Sequence, residues 1–160
     1  MRSPATYLDR ALASDASPDE LRELAQCPYP FVWQALAERT DVMPDVLALM
    51  VHRSDSAWND NALLVAIAVT PQANRAVLLA VLQRVMDLLG SGERPFAAGL
   101  ALAARVELTR DEAARLLDAP GGSRRFRTGL RAQLAARPAV RPASGPVSEE
   151  SAAAEGMGAT

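Results

Sequence analysis

Cys27 is the only cysteine of the chain and His52 the only histidine, so nucleophilic catalysis would have to run through that one pair. A thiol nucleophile needs an imidazole within hydrogen-bond reach and a carboxylate behind the imidazole to orient it. His52 lies in a polar run, and Asp55 is too close in sequence to aim it at Cys27, so a loop role is expected instead. The same counts exclude a disulfide and a four-ligand zinc site within one chain. No metal, no cofactor and no enzymatic activity are expected.

Carboxylate pairs occur at Asp19-Glu20 and Asp111-Glu112, but both open helices, where the helix dipole and capping account for them. Gly121-Gly122 before Ser123 could present amides to an anion at a helix N-terminus, although a helix-breaking turn accounts for it more simply. Asn59-Asp60-Asn61 reads as the exposed first turn of a helix rather than a polar pocket.

Arginine is the residue type with an uneven distribution. All 17 basic residues are Arg and none is Lys. A GC-rich codon set, which also yields Ala, Gly and Pro, explains this more readily than selection for planar, bidentate contacts. Residues 1–60 carry five Arg against ten acids, whereas residues 119–148 carry six Arg, at 124, 125, 127, 131, 137 and 141, and no acid. At 100° per residue, Arg124, Arg127 and Arg131 share roughly a 60° arc, beside an apolar stripe of Phe126, Leu130 and Leu134. That ridge is a candidate surface for phosphate or acidic groups, with a solvated terminal cap as the plainer alternative. No aromatic is free beside it to stack bases, so sequence-specific reading of nucleic acid is not expected. Trp33 and Tyr29 are the second candidate contact, at a groove edge, against the alternative that Trp33 packs between helices.

Helices must position all of these. Ala and Leu dominate the apolar residues, aromatics are only 4%, and no segment alternates with the two-residue period of a strand. Helix starts are marked by Ser3-Pro4, Ser17-Pro18-Asp19-Glu20, Met43-Pro44, Thr70-Pro71, Thr109-Arg110-Asp111-Glu112 and Ser123. Gly90 and Pro120-Gly121-Gly122 mark ends. About nine helices follow from these signals, mostly short.

The proline-led starts repeat: Pro18 to Pro44 is 26 residues, and Pro44 to Pro71 is 27. Val32 and Trp58 each lie 14 residues after a repeat proline. Phe96-x-x-Gly99-Leu100 and Phe126-x-x-Gly129-Leu130 match each other 30 residues apart. Two short helices cannot bury their apolar faces alone, so such units must pack on one another. The expected fold is all-α, a right-handed, α-solenoid-like stack of about four antiparallel helix pairs over residues 1–137. A Pro/Ala/Ser/Gly-rich tail, expected to be disordered, spans 138–160.

Through Pro18, Leu21, Leu24-Ala25, Pro28, Val32, Ala35-Leu36-Ala37, Pro44 and Leu47, the chain resembles bacterial variant leucine-rich repeat proteins within the HEAT-like class, best over residues 17–71. The resemblance implies a helical-repeat fold and speaks little of activity. The cysteine-ligated iron–sulfur cluster of some members does not carry over to a chain with one cysteine.

The longest apolar run, Ala62 to Val69, is far short of the ~18 residues of a membrane span. The opening residues lack the apolar core of a signal peptide. A cytoplasmic chain that does not enter membranes is therefore expected. The leading expectation of function is a non-catalytic scaffold for another protein. Tyr29, Trp33, Arg124, Arg127 and Arg131 are its candidate contacts, and weak polyanion or nucleic-acid binding through the cationic last helix is the alternative.

Overall fold

The computed structural model describes residues 3–139. Among them are nine α-helices and no strand: α1 (Pro4–Leu12), α2 (Pro18–Ala25), α3 (Pro30–Ala37), α4 (Pro44–Met50), α5 (Ala57–Val69), α6 (Arg75–Gly90), α7 (Phe96–Ala104), α8 (Arg110–Asp118) and α9 (Arg124–Ala136). The tail expected to be disordered lies, from residue 140 onward, outside the described residues, as does Arg141.

Side-chain caps set most of the starts. The hydroxyls of Ser3, Ser17, Ser56, Thr109 and Ser123 each accept from the amide three residues on, which satisfies one of the helix's orphan donors. At Thr109 the capping box is complete, because Glu112 also accepts from the Thr109 amide at 2.7 Å. Helices α3 and α4 begin without a side-chain cap, on Pro30 and Pro44, where a missing N–H costs nothing.

One expected start is wrong. Pro71 does not open a helix; it lies in a turn, and α6 begins only at Arg75, capped by Asn74 through the Val77 amide. The backbone of this turn is committed elsewhere, since the carbonyls of Thr70 and Ala73 accept from Arg105. The regular spacing therefore runs from Pro4 to Pro30 to Ala57 and from Pro18 to Pro44, and is lost at α6. The pairing of Val32 with Trp58 fails for the same reason. Val32 is fully buried, whereas Trp58 is 82% exposed. Counted from the helix starts, Trp58 corresponds to the exposed Phe31.

Contacts connect alternate helices. The odd-numbered ones touch in the order α1, α3, α5, α7, α9, while α2 touches α4 and α4 touches α6. Helix α8 packs on α7 and α9. One core cluster extends from Ala11 to Leu134, built on Leu24, Leu36, Leu47, Ile67, Leu82, Leu102 and Leu116. Each such side chain contributes about 1.5–3 kcal/mol on burial. Between α7 and α9 the approach depends on glycine: a Cβ on Gly99 would come within 2.7 Å of the Phe126 ring. Phe126 in turn stacks on Phe96 at 4.7 Å. The matching Phe-x-x-Gly runs thus meet each other in space.

Arginines close the helix ends. Arg39, just after α3, donates to the carbonyls of Ala11 and Ala13 at the end of α1, and Asp41 grips its other edge. Arg105, after α7, does the same to Ala68 and Thr70 at the end of α5, gripped by Glu107. Arg137, after α9, reaches the carbonyls of Arg105, Leu108 and Thr109. Arg53 donates to Ala25 at the end of α2. The last carbonyls of a helix lack partners and carry partial negative charge, so a guanidinium fork suits them better than a single ammonium.

Candidate partner-binding face

The odd-numbered helices turn an unusual face outward. Helices α3 (PFVWQALA) and α7 (FAAGLALAA) contain no ionisable side chain. The only one in α5 is Asp60, which is buried and accepts from the Ser54 hydroxyl at 2.7 Å and the Asp55 amide at 2.8 Å. That triangle fixes the turn into α5 and leaves no charge on the surface. By contrast α2, α6 and α8 carry Asp, Glu or Arg on their exposed sides, at Asp19, Glu23, Arg75, Asp87, Asp111 and Asp118 among others.

The helical period shows what replaces charge. On α5, Trp58, Ala62, Val65 and Val69 fall at i, i+4, i+7 and i+11, one stripe opposite the buried Leu63, Leu64 and Ile67. On α7, Ala97, Ala101 and Ala104 form the matching stripe, and on α3 Phe31 and Ala35 do. Trp58 and Val69 are mostly exposed, and Phe31 is 43% exposed. Scattered surface apolar residues are ordinary, but a run of them across adjacent helices with a bare tryptophan is the signature of an interaction surface.

Two grooves cut this face. One lies between α5 and α7, walled by Trp58, Asn61, Val65, Arg94 and Pro95. The other lies between α7 and α9, over Phe96, Leu100, Phe126 and Gly129, with Arg124 and Arg125 on its rim. Gly129 keeps the second groove open, since a Cβ there would press to 3.0 Å from the Leu100 side chain.

The residues expected from the sequence are divided by the fold. Tyr29 is half-buried, between Tyr7 at 5.3 Å and Phe31 at 5.5 Å. Trp33 is buried, not at a groove edge: its indole N–H donates to the Cys27 carbonyl at 2.8 Å and the Arg53 guanidinium covers its ring at 5.5 Å. The ring turns inward because burial satisfies both its apolar body and its one donor. Arg124 and Arg131 are exposed. Arg127 leaves the cationic ridge, because its guanidinium folds onto the carbonyls of Leu117 and Ala119, at 3.0 and 3.3 Å, and closes the end of α8. Arg137 is committed to carbonyls as well, so the ridge keeps Arg124, Arg125 and Arg131.

Trp58, Phe31, Arg94 and Arg125 belong to the face and were not singled out by sequence reasoning. For Trp58 the signal was available: Ser56 as N-cap fixes the phase of α5 and puts position 58 opposite the Leu63-Leu64-Ile67 stripe.

The catalytic alternative finds no support in local chemistry. Cys27 is buried, its thiol is pushed up by that burial, and its nearest acceptor is the Tyr29 carbonyl at 4.0 Å. A raised thiol pKa is the opposite of what a nucleophile needs. Compared with protein families, with curated proteins and with solved structures, the chain has no significant match.

Proposed function

We propose that the chain is a non-catalytic helical-repeat scaffold, a right-handed, α-solenoid-like stack of about four helix pairs. It binds another protein in the cytosol through the outer face of its odd-numbered helices. The observation that carries this reading is Trp58, 82% exposed at the centre of a face from which charge is absent on three adjacent helices. A ring of that size buries a large area when covered, and tryptophan is among the residues that dominate binding energy at interfaces. The likeness of residues 17–71 to variant leucine-rich repeat and HEAT-like proteins leads to the same expectation, since stacked helix pairs present extended surfaces for binding.

The test uses the full chain as bait in a cross-linking capture from lysate, beside Trp58→Asp and a control, Gln83→Arg, on the exposed side of α6. A protein captured by the wild type and by the control, and lost with Trp58→Asp, is the expected result. Identical capture by all three baits, or none by any, overturns the reading.

A further inference from the structure

We propose that the two grooves of this face take an acidic segment of another protein, with a large apolar side chain seated between α7 and α9 and carboxylates on Arg124, Arg125 and Arg94. The inference rests on the reading of the face as a protein-binding surface and adds the chemistry of the partner.

Charge is the first ground. Most arginines of this protein are already engaged. Arg10 holds Glu20, Arg22 holds Asp45 and Asp19, Arg75 holds Glu112, and Arg39 and Arg105 hold Asp41 and Glu107. Arg94, Arg124 and Arg125 have no carboxylate partner among the described residues, and neither groove contains an acid. The first turn of α9 also lacks one, unlike α2 and α8, which open on Asp-Glu pairs. Three cations therefore border apolar ground with nothing to answer them. A carboxylate bound there would make charge-assisted hydrogen bonds partly shielded from water.

The second ground is the groove floor. Between α7 and α9 the lining is the stacked Phe96 and Phe126 with Leu100, opened by the missing side chain of Gly129. Such a slot suits one large apolar side chain. In the neighbouring groove, Asn61 has its Oδ1 buried without a hydrogen-bond partner. A buried acceptor left unpaired costs about 1–3 kcal/mol, and a backbone N–H of a bound segment would satisfy it. Apolar slot, amide acceptor and flanking cations together fit an acidic peptide. A polyanion would use the cations and leave the slot empty.

The probe is a phage-displayed library of random peptides, selected on the full-length protein. The best binder is then made synthetically and titrated by fluorescence anisotropy. The selected peptides are expected to share a large apolar residue flanked by Asp or Glu. Their affinity falls about tenfold or more with Arg124→Glu/Arg125→Glu and with rising salt. All substituted positions are exposed, and circular dichroism verifies that each variant keeps its helix content. Peptides that lose binding with Trp58→Asp but ignore Arg124→Glu/Arg125→Glu overturn the acidic partner and leave the protein-binding face standing. Peptides indifferent to both variants, or no peptides at all, overturn both. Two further results also overturn the proposal. One is tighter binding of an oligo(dT) 20-mer than of any peptide, lost with the arginine variant. The other is a gain of about tenfold in peptide affinity on replacing Glu149, Glu150 and Glu155 with Gln, which would assign the groove to this chain's own C-terminal segment.

Discussion

Arg39 and Arg105 make the same contact at two points in the chain: each guanidinium bridges two carbonyls at the end of a neighbouring helix, at 2.7 and 2.8 Å, and is held on its other edge by an acid two residues on. Arg105 also reaches the Ala73 carbonyl at 3.1 Å. It thereby ties the start of one inter-helix turn to the end of another, 32 to 37 residues away. Replacing Arg105 with Ala leaves three carbonyls and Glu107 without their donor. The expected loss is about 2–3 kcal/mol, the range for hydrogen bonds to a charged group. Lys at this position recovers little, because one ammonium cannot span the carbonyls and the acid together. Urea unfolding of both variants measures this, with Arg110→Ala, an exposed position, expected within about 0.5 kcal/mol of wild type.

Gly121 and Gly92 both adopt left-handed backbone, at φ of 82° and 88°. Their surroundings differ. A Cβ at Gly121 would run into the Leu89 carbonyl oxygen, whereas nothing lies within 4 Å at Gly92. Gly92→Ala therefore carries only the conformational cost, about 1–2 kcal/mol. Gly121→Ala adds a clash with backbone that cannot rotate away, and should be the more destabilised of the two by thermal melting. Equal losses at the two sites would show that the turn before α9 shifts freely.

What could be read from the sequence is what depends on near neighbours. The caps at Ser3, Ser17, Thr109 and Ser123 join residues three apart, and each was visible in the residues themselves. So was the buried stripe Phe126, Leu130 and Leu134. The two tryptophans were not distinguished, because a buried position is defined by what covers it. For Trp33 the cover is Arg53, from beyond the next helix, and no periodicity within α3 announces that contact. The arginine clamps were likewise hidden, since their partners lie up to 37 residues away. Arg127 looked like part of a cationic ridge until the end of α8 was seen to lie beneath it. The exposed Arg124 and Arg131 remain where the helical period put them.

Stability should respond to acid through the same clamps. Arg105 holds Glu107 below its ordinary carboxylate pKa, Arg39 does so for Asp41 and Arg22 for Asp45. For Glu112 the Thr109 amide is the larger cause and Arg75 the second. A carboxylate whose pKa is lowered by folding contributes stability that is fully present above its unfolded value, about 4, and is lost as pH falls through the folded value. Unfolding free energy should therefore be nearly flat from pH 7 to about 5 and then drop steadily in acid. Glu107→Gln should be less stable than wild type at pH 7, where it has lost the charge that grips Arg105. Below about pH 3 the wild-type Glu107 is itself protonated, so the two curves should converge there. A gap that stays constant from pH 7 to pH 3 would mean that Glu107 supports Arg105 by packing, not by charge.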